Sequence, residues 1–358
     1  MHIPDGYLSP ATCAVLYTGA APFWYVAVKR VQKMLHTRMV PLLALFAAFS
    51  FVIMMFNLPL PGGTTGHAIG VGITTVVLGP WAAMLAISIA LVIQALFFAD
   101  GGITTIGANC FNMAVVGSLA AHAIYTLIAA RSSPLSTRRV IGAGLAGYVA
   151  CNLAAFLAAI EFGIQPALYK DSSGAPLYCP YPLHIAIPAM MIGHITIAGL
   201  AELFVSAGLA AFLQKLDLQL PNASCGSRSR ILVATRQAPN VLRPLWFGLG
   251  VLMVLTPLGI FAAGSAWGEW VASDYADPAA RAQIAAASLQ ASPPSAAPQG
   301  LAQLSALWTA PFARYALPYV RNPMFGYLFS AMFGVGFVML VSFGIALIAE
   351  KARFRPGR

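Results

Sequence analysis

The chain has 358 residues, of which 59% are hydrophobic and only 8% are charged. Soluble domains carry roughly 25% charged residues, so this composition excludes a soluble globular protein and predicts an all-α, polytopic helical membrane protein. The net charge of +10 would by itself fit a nucleic-acid-binding protein, but its distribution along the chain argues against that class. The five cysteines form no Cys-x-x-Cys pair, which argues against a disulfide framework or a zinc ribbon.

The N-terminus runs Met1-His2-Ile3-Pro4-Asp5-Gly6-Tyr7, with no basic residue ahead of the first apolar stretch. This is the reverse of a signal peptide, so we expect no cleavage and a surviving Met1 amine. That amine and the amide and imidazole nitrogens of His2 can close fused chelate rings around one cation. Completed by another imidazole, the set is planar and suits Ni(II) or Cu(II) better than Zn(II) or Mg(II). The alternative is an inert, frayed terminus, as most termini are.

Nine apolar segments predict nine membrane spans. Ser9-Pro10 is typical of a helix N-cap followed by proline at the first helical position. The spans are expected at 10–28, 39–56, 67–79, 81–98, 103–130, 140–160, 184–213, 245–263 and 324–349. A polar loop is predicted at 161–182, and the Ala/Pro/Ser/Gln-rich stretch 285–303 is predicted to be a flexible linker.

The basic residues predict the orientation in the membrane. With the N-terminus outside, nine spans place four segments in the cytoplasm: 29–38, 131–139, 215–243 and 351–358. These segments hold 16 of the 20 Lys and Arg residues, as the positive-inside rule expects. This explains the basic charge without nucleic acid. It predicts a multi-pass membrane protein, surrounded by lipid, with an external N-terminus and a cytoplasmic C-terminus.

Polar side chains cluster at the start of the fifth predicted helix, on the outer side. They are Thr104, Thr105, Asn109 and Asn112, of which the two asparagines are three residues apart and share a helical face. Polar groups at membrane depth are costly and usually face a cavity or each other. Hydroxyls and amides at such a position suit the support of histidine metal ligands, so we expect these four residues to surround a site.

Two histidines are candidates for a functional role. His67 follows Gly-Gly-Thr-Thr-Gly, where glycines let the backbone approach a ligand, and it is either the fourth metal nitrogen or an interfacial cap of the third helix. His194 and Glu202 are eight residues apart on one face of the seventh helix, and their role within the membrane is left open. His36 lies among basic residues and is interpreted as solvated. No HExxH, G-x-S-x-G, Walker A or G-x-G-x-x-G motif occurs, so no enzyme activity or ATP hydrolysis is expected of this chain.

Three motifs occur together: the run Met1 to Leu8, His67 after its Gly-rich loop, and the run Asp100 to Thr105 with Asn109 and Asn112. They resemble the CbiM/NikM family, the substrate-capturing membrane components of energy-coupling-factor (ECF) transporters for cobalt and nickel. The resemblance covers about residues 1–215. It implies that Met1, His2 and His67 supply the metal-binding nitrogens. It also implies a separate ECF transmembrane coupling subunit and ATPase subunits as partners.

The remainder, Leu245 to Ala349, resembles the small two-span accessory component of these transporters, fused here into one chain. The matching motifs are Thr256-Pro257-Leu258-Gly259 and Ala266-Trp267-Gly268-Glu269-Trp270, whereas the Pro-Asp-Gly-Leu-Glu-type motif frequent in that region is absent. The resemblance divides the chain into a seven-helix capture domain (1–215), a basic cytoplasmic linker (216–243) and a two-helix accessory domain with a long external loop (244–358).

The expected function is high-affinity capture of Ni(II) or Co(II) at a square-planar nitrogen site, for import by an ATP-driven transporter. The metal is cargo, and no cofactor is expected. The alternative is a stand-alone secondary permease, which would need a continuous polar path to the inner side. The inner halves of the helices are nearly free of ionisable groups, apart from His122 and Glu202, which counts against it. An intramembrane enzyme at His194 and Glu202 would lack a third ligand and a nucleophile. Nickel and cobalt are not distinguished, although the fusion slightly favours nickel.

Overall fold

The structure is a computed structural model that describes residues 1–34, 39–216, 238–262 and 264–353. Its helices are α1 Pro10–Met34, α2 Met39–Met54, α3 Val71–Leu78, α4 Pro80–Phe98, α5 Ile106–Ala129, α6 Thr137–Leu168, α7 Leu183–Lys215, α8 Ala238–Leu255, α9 Pro278–Ala287, α10 Gln299–Leu304 and α11 Pro323–Arg353. Short π-helical turns interrupt α4 at 94–98, α5 at 110–116 and α7 at 194–198.

The helices confirm the predicted class of fold. Within the described residues, seven helical segments are long and apolar enough to cross a membrane, and the apolar helix Val40–Met54 is shorter. Five of the seven segments, together with α2 and α3, form the seven helices of residues 1–215. The other two are Leu242–Phe261, which begins in α8 and ends in a short 3-10 helix, and Pro323–Ile345 in α11; they are the predicted additional pair. The chain is therefore a multi-pass membrane protein.

Helix α1 begins as the sequence predicts. The Ser9 hydroxyl accepts a hydrogen bond from the Thr12 N–H at 3.0 Å. Pro10 occupies the first helical position, where a backbone N–H would have no partner within the helix. The Ser9 N–H in turn donates to Gln165 Oε1 at 3.0 Å. The start of α1 is thereby bound to α6, which fixes the point from which the N-terminal segment enters the bundle.

The third predicted span is wrong in its extent. After α2 the chain forms an antiparallel hairpin, β1 Leu58–Leu60 and β2 Thr64–Gly66, and His67 lies in the loop between the hairpin and α3. Gly62 has a φ of +84°, a value that favours glycine, and allows the tight turn. Helix α3 has only eight residues, or about 12 Å, so the helix by itself accounts for less than half of a hydrocarbon core of about 30 Å.

Two other boundaries differ from those predicted. Helix α6 continues to Leu168, so the first part of the predicted loop 161–182 is helical. Helix α8 begins at Ala238, so the end of the predicted linker 216–243 is helical as well. The rest of that linker, 217–237, and His36 lie outside the described residues.

The stretch 285–303 is not a flexible linker, and that prediction was wrong. It contains the end of α9 and the whole of α10, and it is anchored by the fully buried Ile284 and Leu301. Trp267 Nε1 donates to the hydroxyl of Ser288 at 3.1 Å. Alanine and proline are typical of unfolded linkers, but these small side chains can also pack in a folded segment. Here Ile284 and Leu301 supply the buried contacts that order the segment.

The segment between α8 and α11, residues 264–320, is here named the accessory loop. It covers the end of the bundle that holds the N-terminus. The Thr65 N–H donates to the carbonyl of Ser265 at 3.3 Å, which adds the accessory loop to the hairpin. The Phe312 N–H donates to the carbonyl of Phe97 at 2.9 Å, at the end of α4. The two parts of the chain therefore meet directly at this end.

Candidate metal site

The N-terminal segment is threaded into the bundle. Met1, His2 and Ile3 are 2%, 1% and 0% exposed, and Tyr7 and Leu8 are buried as well. A free terminus is normally mobile and solvated, so its ordering and burial cost free energy that specific contacts must offset. The contacts that hold this segment come from the start of α5, from the loop before α5 and from the accessory loop.

The peptide that follows His2 is held by the start of α5. Asn109 Oδ1 accepts from the Ile3 N–H at 2.8 Å, and Asn109 Nδ2 donates to the Ile3 carbonyl at 3.0 Å. The Thr105 hydroxyl and the Gly102 N–H donate to the same carbonyl. Two of the four polar residues predicted to surround the site thus bind the N-terminal segment directly.

Thr104, the third of these residues, contacts Asp5. The Asp5 carboxylate accepts from the Ile103 N–H at 3.0 Å, and from the N–H and hydroxyl of Thr104 at 2.8 and 2.5 Å. A Cβ atom at Gly102 would lie 2.3 Å from the Asp5 nitrogen, so only glycine allows this approach. The role of Asp5 was not predicted, because nothing local in the sequence indicates that it binds a loop about a hundred residues away.

His2 and His67 converge at the inner end of this segment. His2 Nδ1 lies 3.2 Å from His67 Nε2, and both imidazoles are buried. His67 Nδ1 lies 3.0 Å from the Ala68 carbonyl. Because a carbonyl only accepts hydrogen bonds, His67 Nδ1 carries the proton and Nε2 directs its lone pair towards His2. His2 Nε2 has no hydrogen-bond partner in the part of the chain that the structure describes.

Asp100 is the acidic partner of His2. Its Oδ1 lies 2.9 Å from His2 Nδ1, and its Oδ2 accepts from Tyr315 at 2.5 Å and from Gln94 Nε2 at 3.2 Å. In the sequence, Asp100 was used only as the start of the motif Asp100 to Thr105. Its place beside the histidines was missed, because it depends on how α4 ends against the N-terminal segment and on Tyr315 of the accessory loop.

The electrostatics of the site favour cation binding. Burial and the positive charges of His2 and the Met1 amine lower the pKa of His67 well below its usual value. Burial acts to raise the pKa of Asp100, but the adjacent His2 outweighs it, and the pKa lies below its usual value. A neutral imidazole and an ionised carboxylate are the forms in which these groups bind or attract a cation.

The Met1 amine also has an acidic partner, which comes from the accessory loop. The amine nitrogen lies 3.6 Å from Glu269 Oε1. Nearby, the Tyr7 hydroxyl donates to the carbonyl of Trp270 at 2.8 Å. Sequence reasoning used Glu269 and Trp270 only as part of a family motif and did not place them at the N-terminus.

A cavity of about 460 Å³ opens onto this site beneath the accessory loop. His67, Asp100 and Glu269 line it, together with the aromatic side chains of Trp270 and Trp308. Since the two histidines are otherwise enclosed, this cavity offers a route by which a small cation can reach them.

The other predicted residues have different neighbours. Asn112 Nδ2 donates to Glu161 Oε2 at 2.9 Å instead of contacting the N-terminal segment. His194 Nδ1 donates to the Met190 carbonyl at 2.8 Å, and its Nε2 has no hydrogen-bond partner among the described residues. Glu202 lies against the backbone that follows His67.

Side chains alone do not form a metal site here. Among residues 1–34, 39–216, 238–262 and 264–353, no group of three His, Cys, Asp or Glu side chains could hold a metal ion. What converges instead is two imidazoles with a buried amine and its adjacent amide. The fold and the site therefore define a class: a polytopic membrane protein whose buried N-terminus meets a histidine beside an accessible cavity.

Comparison with known proteins gives the family. Residues 2–220 match the CbiM family, described as the cobalt uptake substrate-specific transmembrane region, and residues 243–351 match the PDGLE domain. The chain belongs to the CbiM family and carries a fused PDGLE domain. The resemblance stated from the sequence is confirmed for both parts, although the motif of that name is not spelled out in this chain.

Relatives extend over the whole chain. The fused nickel transport protein NikMN of Rhodobacter capsulatus is 52% identical over 359 residues, covering 98% of this chain and all of the relative. The probable fused nickel transport protein LarMN of Lactiplantibacillus plantarum is 38% identical, covering 96% and 97%. A crystal structure of a transition metal transporter is similar with a TM-score of 0.58 and 44% identity, covering 66% of this chain and 99% of that one. The chain is thus a metal-transport component, as expected.

Proposed function

We propose that this protein captures Ni(II) or Co(II) with four nitrogens: the Met1 amine, the amide and Nδ1 of His2, and Nε2 of His67. It does so as the substrate-specific component of an ATP-driven ECF transporter. The observation that carries the proposal is the 3.2 Å separation of His2 Nδ1 and His67 Nε2 beside a buried N-terminal amine.

The separation of the two imidazole nitrogens fits a shared cation. With metal–nitrogen bonds of about 2.0 Å, adjacent nitrogens of a square-planar complex lie about 2.8 Å apart. The observed 3.2 Å therefore needs a movement of only a few tenths of an ångström. The amine and amide come from consecutive residues, so covalent geometry brings them together once the segment is held in place.

Planar nitrogen ligation gives a basis for selectivity. Removing the proton of the His2 amide is unfavourable in water and is offset only by cations with strong ligand fields. Mg(II) and Ca(II) prefer oxygen ligands, and Zn(II) prefers a tetrahedral arrangement. Two relatives of near full length are named as nickel transport proteins, whereas a relative covering 60% of this chain is named a cobalt transport protein, which favours nickel here.

A metal titration with an unmodified N-terminus tests the ligand set. Ni(II) is expected to produce a planar d–d absorption band at roughly 400–500 nm. One Gly added before Met1 should abolish that band, because the terminal amine would move one residue away from the His2 amide and could no longer close the chelate ring. His67→Ala should also abolish it, and His36→Ala should not. An unchanged band in the extended protein would refute the amine ligand.

The transporter assignment rests on the domain division proposed from the sequence. Residues 1–215 are the capture domain, 216–243 the basic cytoplasmic linker and 244–358 the accessory domain, with the N-terminus external. The matches to two separate families at 2–220 and 243–351 support this division. The chain has no Walker A motif, so ATP hydrolysis falls to separate ATPase subunits that act through a coupling subunit.

Cellular uptake distinguishes this importer from a stand-alone permease. Radioactive nickel uptake is measured in cells that carry the chain with its coupling and ATPase subunits, and in cells whose ATPase lacks the nucleotide-binding lysine. We expect uptake only in the first. Equal uptake in both would favour the secondary permease.

A further inference from the structure

Glu202 is a carboxylate in α7 with no exposed surface, inside the membrane-spanning bundle. Burying such a group is costly unless it is paired or fully hydrogen-bonded. It is not among the proposed metal ligands, so its contacts must explain why the fold tolerates it.

Those contacts are at the N-terminus of α3. Glu202 Oε2 accepts from the N–H groups of Ile69 and Gly70 at 2.8 and 2.7 Å. Its Oε1 accepts from the Gly72 N–H at 3.1 Å and from the Ser206 hydroxyl at 3.0 Å. The first N–H groups of a helix have no partner within the helix, and the helix dipole favours a negative charge there. The carboxylate therefore caps α3.

The cap lies directly after His67. The ring of His67 is bound to the carbonyl of Ala68, and the next N–H, that of Ile69, is bound to Glu202. Both bonds fix the backbone at Ala68 and Ile69, and the position of the His67 imidazole depends on that backbone. Helix α3 is also closely packed: a Cβ atom at Gly72 would lie 2.5 Å from the Cα of Gly147 in α6. The loop cannot shift alone.

The two halves of the proposed ligand set are held by different helices. Asn109 and Thr105, at the start of α5, bind the N–H and the carbonyl of Ile3, the residue after His2. Glu202, on α7, binds the N–H of Ile69, two residues after His67. The distance between the two imidazole nitrogens therefore depends on how α7 lies relative to α5.

We propose that Glu202 is the positioning residue for His67, and that it links α7 to the geometry of the metal site. This inference rests on the proposed function and deepens it. Only 28% of the most apolar part of α7 is buried within the protein, so much of the helix faces outward. A displacement of α7 would move His67 away from His2 and weaken the planar site.

The test compares two variants of Glu202 with a matched control in otherwise full-length protein. Glu202→Gln keeps the volume but replaces one acceptor by an amide donor that faces backbone N–H groups. Glu202→Asp keeps both acceptors on a shorter side chain. Glu161→Gln makes the same change at another buried intramembrane carboxylate, which binds Asn112 and not the loop after His67. Each protein is loaded with Ni(II), and the absorption spectrum and the rate of metal loss to a chelator are recorded.

We expect Glu202→Gln to lose nickel at least 10-fold faster with a shifted or weakened planar band. Glu202→Asp should recover part of the difference, and Glu161→Gln should behave as wild type. Wild-type spectrum and release rate in a folded Glu202→Gln protein would overturn the inference. If that variant does not fold, Ser206→Ala replaces it, with a 2- to 5-fold faster release expected and a wild-type rate counting against the inference. A wild-type protein without a planar band would instead refute the proposed function.

Discussion

Asn109 binds Ile3 through both halves of its amide group, accepting from the N–H at 2.8 Å and donating to the carbonyl at 3.0 Å. This pairing fixes Ile3, whose N–H belongs to the peptide that follows His2. The direction of the His2 imidazole depends on how that peptide is held, so we expect this amide side chain to influence the proposed metal site without contacting the metal.

Truncation of Asn109 should therefore weaken metal binding. We expect Asn109→Ala to lower Ni(II) affinity by about 10- to 100-fold, as for other residues that orient metal ligands. Asn112→Ala is the matched control, since Asn112 is on the same helix and equally buried but donates to Glu161. Its affinity should stay within about threefold of wild type. Titration by calorimetry measures both. Equal losses in the two variants would mean that the pairing with Ile3 has no special role.

Asp5 is expected to contribute to stability as well as to binding. Its carboxylate accepts three hydrogen bonds from Ile103 and Thr104, and bonds to a charged group contribute about 1.5–3 kcal/mol each. Asp5→Asn places an amide donor against backbone donors, so we expect a loss of about 2 kcal/mol in stability. Thermal unfolding in detergent measures it. Asp171→Asn, which changes an exposed turn elsewhere, should leave the melting temperature close to wild type.

Much of the fold could be predicted because long apolar segments and their caps are local signals. Ser9-Pro10 specified the start of α1, and the run Trp81 to Phe98 specified α4 almost to the residue. The pairing of the buried terminus with His67 followed from ligand chemistry and family resemblance. For the helices the required signal lies within a few residues of the feature, whereas the pairing of His2 with His67 joins residues 65 positions apart and came from the resemblance.

What could not be predicted depends on contacts between distant segments. The hairpin before His67 is partly stabilised by its pairing with the accessory loop at Ser265. Asp100 and Glu269 have no local pattern that marks them as partners of His2 and Met1. The stretch 285–303 has the composition of a linker and is nevertheless packed, because Ile284 and Leu301 anchor its ends.

Removal of 285–303 tests directly whether this stretch is a packed segment or a flexible linker. A flexible linker could be deleted with metal binding intact, whereas the structure places buried residues in this stretch. Its loss should expose the surface around Tyr178 and the accessory loop, where Gly300 donates to the Leu177 carbonyl at 2.7 Å. We expect a lower melting temperature and faster nickel release. Unchanged values for both would restore the linker interpretation.

The metal-free protein should be less stable in acid because of His67. Its pKa is lowered on folding, so the unfolded chain binds the extra proton more readily. The stability that the protein gains from a neutral His67 is fully present above the usual histidine pKa of about 6.5. It is lost as the pH falls below that value. Asp100 acts only at lower pH, because its pKa is lowered from 3.8. Glu269 has the opposite effect on stability: its pKa is raised mainly by burial, so its ionisation makes the protein less stable as the pH rises.

The difference between wild type and His67→Gln isolates this contribution. Melting temperatures are measured between pH 7.5 and 5, which are chosen to bracket the usual histidine pKa of about 6.5. The wild-type curve should fall more steeply towards acid than that of the variant. Parallel curves would show that His67 is not held neutral by the fold.

Glu269 brings the accessory loop to the proposed metal site. Its carboxylate lies 3.6 Å from the Met1 amine, and it lines the cavity that leads to His67. Glu269→Gln should leave the ligands in place but remove the charge that holds the amine and compensates a bound cation. We expect Ni(II) affinity to fall about tenfold with the planar band retained. Asp274→Asn is the control, since its carboxylate is on the same loop but accepts from the Val271 N–H. A tenfold loss in both variants would indicate a general effect of loop charge, and a loss only in Glu269→Gln would place the carboxylate at the amine.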